Sequence, residues 1–382
     1  MQTEVLVVGA GPAGSTAAAI LAQKGYDVLI LDKTEFPRQK ACGDGIPHSA
    51  IALLDQLGLH DQFRNTKRNE ITGATIHSPR GQQSSINFRM RDNFFIQSRS
   101  VFDHTLFSHA LTSGAKFLKA KALEPILNQG KVVGVKARVQ DEEKRIFAPI
   151  TIAADGVDSA IAAPLRREKQ LAKHRAISLR GYISGLNLNP RTVEGFFPKE
   201  IVPGYLWIFP LGEKEANIGL GMRMDKYAKV GMSMKQVLQN FLASPEIKAR
   251  LEPNWQLSDV RASPMNFASQ KGIQLAYDGA VLVGDAASLV SPLTGGGIYN
   301  AMFSAKTAAE TIHDAFQKND FSEKKLSEYE RRCWAAIRYE MKITYVVQNA
   351  ISTFPFLIEG LMKFVDNRTL KALKLFDDVE FS

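Results

Sequence analysis

Residues 4–32 read EVLVVGAGPAGSTAAAILAQKGYDVLILD and contain, in order, every part of a dinucleotide-binding unit. The runs Glu4 to Val8 and Asp27 to Leu31 predict buried strands, and Ala13 to Lys24 predicts the helix between them. The glycines of the turn permit a tight bend, a close approach of a pyrophosphate and close packing of helix on strand, while an acid after the second strand accepts hydrogen bonds from a ribose. The predicted contacts are Gly9, Gly11, Pro12, Ala13, Gly14, Asp32 and Lys33.

Two later segments predict further parts of the same cofactor site. Strand-like residues 150–154 lead into ADGVDS, and strand-like residues 280–283 lead into GDAASLVSPLTGGGIYNAM. An acid at a strand end can bind a ribityl hydroxyl, and a glycine run before a helix lets backbone amides reach the edge of a flavin ring. The alternative is two unrelated strand–turn–helix units. The candidate cofactor-binding residues are Asp155, Gly156, Gly284, Asp285, Pro292, Gly295, Gly296, Gly297 and Ile298.

In this order the three motifs resemble those of flavoproteins with the p-hydroxybenzoate hydroxylase fold, also called the glutathione reductase type. The resemblance covers roughly residues 1–320 and implies a bound FAD, with Asp285 at its ribityl chain. It also implies that Arg99, in the stretch QSRSVFDHTL, lies near the cofactor phosphates. The fold itself hosts several chemistries, so the reaction has to be argued from other segments.

Two more segments resemble the geranylgeranyl reductase family within that fold. PRQKACGDGIP at 37–47 contains its K-x-C-G motif, and GYLWIFP at 204–210 contains its Y-x-W-x-F-P motif. Halogenases of this fold usually carry a Gly-Glu-Ser loop and a W-x-W-x-I-P motif, and the sequence has neither. One departure from the family pattern is Asp44, because many members have a second glycine directly after C-G.

The resemblance assigns site roles to both segments, whereas residue type alone leaves them open. By residue type, Cys42 is either a small buried residue or a partly exposed, reactive thiol near Lys40. An alternating strand with one aromatic face, as at 205–209, forms either core or a substrate wall. The implied residues are, at the cofactor, Lys40, Ala41 and Cys42; at the reaction, Cys42, Tyr205 and Trp207; and at the substrate, Tyr205, Trp207, Phe209 and Pro210.

The predicted fold class is α/β (α+β), with a Rossmann-like FAD-binding domain of the glutathione reductase type. An antiparallel-sheet substrate domain is inserted into it, and a helical segment follows at the C-terminus. Short alternating runs at 70–97 and 177–222 predict the strands of the inserted sheet. The predicted boundaries are 1–70, 99–165 and 271–320 for the FAD-binding parts, 71–98 and 166–270 for the substrate domain, and 321–382 for the helical region.

Composition narrows the classes of partner. Lys and Arg total 48 against 39 Asp and Glu, and the net charge of +9 favours an anionic partner such as a phosphate-bearing cofactor or an acidic membrane surface. No aromatic-rich basic motif accompanies this charge, so we predict no nucleic acid. The basic run at 166–175 is interpreted as a solvated loop, with an anionic headgroup site as the alternative.

Cysteine usage and hydropathy bear on location. The two cysteines have no metal-ligand spacing, so we predict neither a metal site nor a disulfide framework and expect a cytoplasmic protein. The uncharged run at 343–358 is short for a membrane span and contains Pro355. We expect a helix pair there, packed on the sheet or forming a hydrophobic tunnel or a peripheral membrane contact.

The predicted activity is the FAD-dependent reduction of carbon–carbon double bonds in an isoprenoid chain, so the expected partner is a hydrophobic small molecule or a lipid. The alternatives are a monooxygenase acting on an aromatic or protein-bound substrate and a non-enzymatic flavin-binding scaffold. A second G-x-G-x-x-G is absent from the sequence, which leaves the electron donor open between NAD(P)H and a ferredoxin-type protein. The sequence does not predict the oligomeric state.

Overall fold

The strands form four sheets in residues 1–88 and 94–364, the part of the chain that the computed structural model describes. In chain order they are β1 (Val5–Val8), β2 (Val28–Asp32), β3 (Gly45–Ile46), β4 (Asn69–Ile71), β5 (Gly73–His77), β6 (Gln83–Asn87), β7 (Phe94–Ile96), β8 (Lys116–Lys119), β9 (Lys121–Asn128), β10 (Lys131–Val139), β11 (Glu142–Phe147), β12 (Ile150–Ala153), β13 (Arg175–Leu186), β14 (Thr192–Phe196), β15 (Tyr205–Pro210), β16 (Glu215–Arg223), β17 (Leu251–Asn266), β18 (Ala276–Tyr277) and β19 (Ala280–Leu282).

The helices cover the sheets and connect them. They are α1 (Pro12–Gln23), α2 (His48–Gln56), α3 (His60–Arg64), α4 (Arg99–Thr112), α5 (Ala162–Leu165), α6 (Met224–Val230), α7 (Met234–Ala243), α8 (Pro245–Lys248), α9 (Ile298–Lys318), α10 (Glu323–Thr353) and α11 (Leu357–Phe364). Short 3-10 turns occur at Ala172–His174 and Gly284–Ala287.

The first sheet is the predicted Rossmann-like core. Its strand order is β18-β19-β12-β1-β2-β8, and its pairs are parallel except for β18 with β19. β1 lies at the centre and is buried along its whole length, as a strand covered on both faces must be. Helix α1 presents the small, buried side chains of Ala17, Ala18 and Ala19, which permit close packing on the sheet. This arrangement confirms the predicted α/β core.

The inserted sheet has seven strands in the order β17-β13-β16-β15-β14-β5-β6. It is antiparallel, as the sequence predicted, except for one parallel pair, β5 with β14. The two strands are far apart in the chain, and no hairpin forces them to run in opposite directions. β15 and β16 lie near the middle of this sheet, where each strand pairs with a neighbouring strand on both edges.

Two smaller sheets complete the strand arrangement. Strands β11-β10-β9 form an antiparallel sheet beside the Rossmann-like core. Strands β3-β7-β4 form another, and β3 directly follows the segment that contains Cys42. The pairing of β3 with β7 thus fixes the end of the cysteine-containing segment.

The helical C-terminal region begins with α10, which packs against α9. α10 ends before Pro355 and α11 follows directly, which confirms the predicted helix pair. Within the described ranges, none of the helices is long and apolar enough to cross a membrane. Two parts of the predicted boundaries, 89–93 within 71–98 and 365–382 within 321–382, lie outside the described residues.

Candidate functional site

The turn between β1 and α1 has the geometry that a pyrophosphate site needs. Gly9 adopts a φ of +101°, and a Cβ there would lie 2.3 Å from the carbonyl oxygen of Ala154. A Cβ on Gly14 would lie 1.7 Å from the carbonyl oxygen of Gly9, so helix and turn touch without room for a methyl group. Gly11 is the N-cap of α1 and has no side-chain cap, so the first-turn amides stay available to an anion. The turn therefore fits FAD.

Arg38 faces this turn, and sequence reasoning missed it. A Cβ on Gly11 would meet the Arg38 guanidinium at 3.6 Å, and that guanidinium lies 3.4 Å from the carboxylate of Asp103. Arg38 also lines a cavity of about 480 Å³, together with Ser100 and His104 of α4. A cation beside the amides of a helix N-terminus adds to the positive potential of an anion site. The residue stands in no fingerprint motif, so only its place in the fold reveals it.

The predicted phosphate contact Arg99 is held by another partner. Its guanidinium donates two hydrogen bonds, of 2.6 and 2.9 Å, to the carboxylate of Asp103. Both side chains are buried. Burial lowers the pKa of Arg99, but Asp103 and the nearby Cys42 raise it by a larger amount. The net shift is upward, so the guanidinium stays charged. Arg99 thus lies beside the Cys42 thiol, while a direct phosphate contact stays a prediction.

The predicted ribose contact, Asp32, stiffens the glycine turn. Its Oδ2 accepts a hydrogen bond of 2.9 Å from the Ala10 amide, and its Oδ1 accepts bonds from the amide and hydroxyl of Thr34. The next residue, Lys33, is exposed at the surface. The carboxylate retains acceptor capacity beyond these bonds, because each of its oxygens has more than one lone pair. Its ribose contact remains a prediction.

The side chain of Asp155 contacts the residues that directly follow it in the chain. Its carboxylate accepts hydrogen bonds from the Ser159 hydroxyl and from the amides of Ala160, at 2.8 Å, and Ile161. Burial raises the pKa of Asp155 despite these bonds. Gly156 adopts a φ of +87°, which carries the chain away from the end of β12. The side chain organises the turn that follows, and its predicted cofactor contact remains untested.

Asp285 and the glycine run lie next to each other, as the sequence predicted they would if they share one site. A Cβ on Gly297 would lie 3.4 Å from Asp285 Oδ1, and the Lys40 ammonium is 3.5 Å from Asp285 Oδ2. Gly284 takes a φ of +58° before this acid, and Gly297 is the N-cap of α9 with no side-chain cap. Gly295 and Gly296 are exposed, and the loop lies between the buried residues Pro292 and Ile298. The loop members are Pro292, Gly295, Gly296, Gly297 and Ile298.

We call residues 40–45 the cysteine loop. The inserted sheet holds it at several points. The Arg180 guanidinium donates to the Lys40 carbonyl at 2.9 Å, and the Asn217 amide donates to the Cys42 carbonyl at 2.7 Å. Cys42 is partly exposed, as one of the two sequence interpretations required. Ala41 lies between the two anchored carbonyls.

The aromatic residues of β15 form a row that faces the cysteine loop. The ring centroids of Tyr205 and Trp207 are 5.9 Å apart, and those of Trp207 and Phe209 are 6.0 Å apart. A Cβ on Gly43 would lie 3.1 Å from the Phe209 ring and 3.7 Å from the Trp207 indole nitrogen. Trp207 is buried and the other two are partly exposed, so the row is both core and wall. Pro210, at the end of the strand, is buried, and its carbonyl accepts a hydrogen bond of 2.9 Å from the Asn69 side chain of β4.

Tyr205 connects this row to the glycine run. Its hydroxyl donates a hydrogen bond of 2.6 Å to the carbonyl of Thr294, one residue before Gly295. Burial, with a smaller contribution from Cys42, raises the pKa of Tyr205 to about 12, so the hydroxyl keeps its proton and remains a donor. The cysteine loop, the aromatic row and the glycine run therefore meet in one place.

Four further residues of this place were not predicted as site residues. Asp44 belongs to the cysteine loop, Arg180 and Tyr182 lie on β13, and Asn217 lies on β16. Asp44, Arg180 and Asn217 are buried. The sequence marked one of them indirectly, since Asp44 is a departure from the family pattern. Their proximity depends on strand register, which no local motif encodes.

Two family models match the parts of the chain that contain these residues. Residues 2–196 match the model of an FAD binding domain, and residues 176–253 match that of a geranylgeranyl reductase catalytic domain. Together these matches cover β1–α1, the cysteine loop, the aromatic row and Asn217. The FAD match confirms the predicted cofactor.

Among named relatives, the chain is 34% identical over 337 residues to a digeranylgeranylglycerophospholipid reductase 2 of Methanopyrus kandleri, covering 87% of this chain and 82% of the relative. It is 30% identical over 384 residues to a digeranylgeranylglycerophospholipid reductase of Methanosarcina acetivorans, covering 98% of this chain and 91% of the relative. Among solved structures, a geranylgeranyl bacteriochlorophyll reductase-like protein of Thermoplasma acidophilum superposes with a TM-score of 0.80 at 26% identity, covering 99% of this chain and 92% of that one.

Proposed function

The chain belongs to the geranylgeranyl reductase family of FAD-dependent oxidoreductases, which reduce isoprenoid chains, and we propose that its substrate is a membrane lipid with two geranylgeranyl chains. The named relatives are reductases of digeranylgeranylglycerophospholipids, and the matches to them span most of both chains. A substrate of this kind is apolar along its chains and anionic at its headgroup, which suits a protein with a net charge of +9.

One observation carries the proposal: the aromatic row of β15, the cysteine loop and the glycine run meet at one place. The Tyr205 hydroxyl joins the row to the glycine run at 2.6 Å, and Asn217 joins the row to the cysteine loop at 2.7 Å. FAD, when bound and reduced, would supply the hydride for such a reduction. The row offers an apolar wall along which an isoprenoid chain can lie while water is excluded.

The aromatic faces also serve the chemistry. An unactivated double bond resists hydride addition unless positive charge developing on the alkene is stabilised. The rings of Tyr205 and Trp207 present electron-rich faces that favour such charge, and a dry site strengthens the effect. Cys42, partly exposed and beside these rings, is the candidate group that gives a proton to the second alkene carbon.

Delivery of a membrane lipid calls for contact with the bilayer, and the C-terminal helices provide a suitable surface. Large apolar side chains are exposed near the end of α10 and before α11, among them Val346 at 58%, Phe354 at 52% and Phe356 at 55%. Arg338 and Lys342 are exposed on the same helix. Apolar tips next to cations match the interfacial region of an anionic membrane.

The substrate is tested anaerobically. The bound flavin is reduced, digeranylgeranylglycerophospholipids, polyprenyl diphosphates and prenylquinones are added separately, and flavin reoxidation and product mass are followed. We expect the phospholipid to reoxidise the flavin with a gain of two hydrogens per double bond, while the fully saturated lipid leaves the flavin reduced. Reoxidation by soluble polyprenyl diphosphates alone would overturn the lipid assignment. An oxygenated flavin that forms only after oxygen is admitted, with no alkane product, would favour a monooxygenase instead.

Membrane contact is tested separately by sedimentation with vesicles containing anionic lipid. Wild-type protein is expected in the pellet, and the double variant Phe354→Ser/Phe356→Ser in the supernatant, with equal flavin content in both. Equal sedimentation of the two proteins would show that another surface makes the contact.

A further inference from the structure

A buried glutamine of α10 is bonded to the segment that carries the glycine run. We call residues 291–297 the glycine loop. The side-chain amide of Gln348 donates a hydrogen bond to the carbonyl of Pro292, and only 4% of Gln348 is exposed. Because a buried amide group without a partner is costly, this hydrogen bond contributes to the fixed position of both groups. The two matching family models cover 2–196 and 176–253, so neither reaches this glutamine.

The orientation of this amide is set by an arginine at the end of β16. Arg223 can only donate, and its Nη1 lies 3.4 Å from the side-chain oxygen of Gln348, so the amide nitrogen faces Pro292. Arg223 is itself buried, and its guanidinium donates two hydrogen bonds, of 2.6 and 2.7 Å, to the carboxylate of Asp225. The oxygen of Gln348 therefore points toward β16 and its nitrogen toward the glycine loop.

The glycine loop depends on such anchors because its backbone has unusual freedom. Gly295, Gly296 and Gly297 are consecutive, and Gly295 adopts a φ of +70°. Two hydrogen bonds close the loop on itself: the Ser291 amide donates to the Gly296 carbonyl at 2.8 Å, and the Gly295 amide donates to the Ser291 carbonyl at 3.0 Å. These internal bonds fix the shape of the loop, but they do not fix its place in the molecule.

The place of the loop is set from the substrate side, through its carbonyl groups. The Tyr205 hydroxyl donates to the Thr294 carbonyl at 2.6 Å, two residues after the carbonyl that Gln348 holds. Between these two points the side chain of Leu293 packs against an apolar cluster to which α10 and α11 contribute. Gly297, the N-cap of α9, has no side-chain cap, so the first amides of α9 remain available to a ligand.

We infer that Gln348 is a positioning residue for hydride transfer: it holds the glycine loop, and with it the first amides of α9, at the edge of the flavin ring. The inference rests on the proposed function and on the predicted place of the glycine run beside FAD. It assigns Gln348 no contact with flavin or substrate, since the side chain acts through Pro292. Reacting atoms have to lie about 3–3.5 Å apart, and an error of about 1 Å can lower the rate about 100-fold.

The test uses Gln348→Glu in the FAD-loaded protein. A carboxylate has nearly the same shape as the amide and still accepts from Arg223, but it cannot donate to Pro292. We expect FAD content to be retained, because the turn between β1 and α1 is unchanged. In single turnovers with digeranylgeranylglycerophospholipid at neutral pH, flavin reoxidation should be at least tenfold slower than in wild type. The midpoint potential of the flavin should fall, because the displaced N-terminus of α9 favours the charge of the reduced flavin less.

Acidification separates a missing donor from a damaged fold. Protonation of the carboxyl group introduced by Gln348→Glu restores an O–H donor toward Pro292, so the rate relative to wild type should recover as the pH is lowered. Gln348→Met has a similar length and no donor at any pH. It should show the same loss of rate without recovery, and it serves where Gln348→Glu does not fold. A merely structural role would predict no pH-dependent difference between the two variants.

Asn349→Asp is the matched control. The side-chain oxygen of Asn349 accepts from the same Arg223 guanidinium at 2.7 Å, and in the described part of the chain its side chain makes no hydrogen bond to the glycine loop. The substitution therefore places the same negative charge beside the same arginine and leaves the Pro292 contact intact. We expect the rate and FAD content of wild type, and a smaller change in flavin potential than in Gln348→Glu.

The outcomes distinguish this inference from the function on which it rests. If wild type reduces the lipid but Gln348→Glu loses no more rate than Asn349→Asp, the inference fails and the function stands. A loss of rate in Gln348→Glu without recovery at low pH would also overturn it, since the missing donor would not be the cause. If wild type reduces no isoprenoid, the proposed function fails. The flavin potential needs no substrate and still decides the position of the glycine loop, because an unchanged potential in both Gln348 variants would overturn that as well.

Discussion

Asn217 is the side chain whose removal should most clearly separate the cysteine loop from the aromatic row. It is fully buried and makes three contacts: it accepts from the Trp207 indole at 2.9 Å and donates to the Cys42 carbonyl at 2.7 Å and to Asp44 at 2.8 Å. Asn217→Leu keeps nearly the same shape and removes all three. Asp44 retains the Tyr182 hydroxyl, so two buried groups lose their partner.

The expected cost follows from these two groups. A buried polar group left without a partner costs about 1–3 kcal/mol, so Asn217→Leu should lower the free energy of unfolding by roughly 2–6 kcal/mol. In a Trp207→Phe background the indole N–H is already absent. Asn217→Leu then leaves one buried polar group fewer without a partner. Its cost should then fall by about 1–3 kcal/mol, which a double-mutant cycle reports as coupling.

Denaturant titration of the four proteins of the cycle, followed by circular dichroism, measures these differences through the transition midpoints. Asn240→Leu is the control, since Asn240 is exposed on α7 and should change stability by no more than about 0.5 kcal/mol. Asn217→Leu behaving like Asn240→Leu, or costs that simply add in the double variant, would refute the idea that this amide bridges Trp207 to the loop.

Three other changes test separate parts of the site. Gly219→Ala would place a Cβ 2.4 Å from the Trp207 ring and should lower turnover roughly 10- to 100-fold, whereas Gly221→Ala, 3.9 Å from the same ring, should leave it unchanged in the same assay. Gly14→Ala would place a Cβ 1.7 Å from a backbone oxygen of the glycine turn, so the purified protein should lose FAD, seen as lost flavin absorbance. Burial lowers the pKa of His174 from 6.5 to about 4, so the stability that its neutral ring contributes should be present above pH 6.5 and lost as the pH falls toward 4. His174→Gln should reduce that acid sensitivity in thermal melts, and an unchanged pH profile would contradict the assignment.

The sequence predicted those parts of the molecule whose chemistry is local. The glycine turn can be predicted because β1, the turn and α1 are consecutive in the sequence. A Cβ at Gly9 or Gly14 would clash with backbone atoms, so both positions require glycine. The helix pair around Pro355 and the strand leading to Asp285 follow from local patterns in the same way. Each of these features is decided by residues within one turn or one strand of each other.

Strand pairing across long stretches of chain was not predictable in this way. Asn217 meets Cys42 and Asp44 only because β16 pairs with β13 and β15 in one register, and a shift by one residue would turn its amide to the opposite face. Arg99 shows the same limit, because its carboxylate partner Asp103 can be read from the helix spacing but its proximity to the Cys42 thiol cannot. The basic run at 166–175 was interpreted as solvated, yet Arg166 turns inward and donates to the Ala286 carbonyl and the Ser288 hydroxyl.

The position of the cysteine loop explains how the inserted sheet can influence the chemistry of a loop that is not one of its strands. β13 holds the loop through Arg180 at the Lys40 carbonyl, and β16 holds it through Asn217 at the Cys42 carbonyl. The side chain of Lys40 reaches Asp285 on the opposite side, next to the glycine run. A substitution on either strand therefore changes the position of the cysteine loop. It should affect the proton-bearing groups of this loop more than the cofactor-binding turn between β1 and α1. Variants of β13 and β16 should accordingly change the pH dependence of turnover while FAD content stays constant, which flavin absorbance and rate profiles measured on the same preparations would decide.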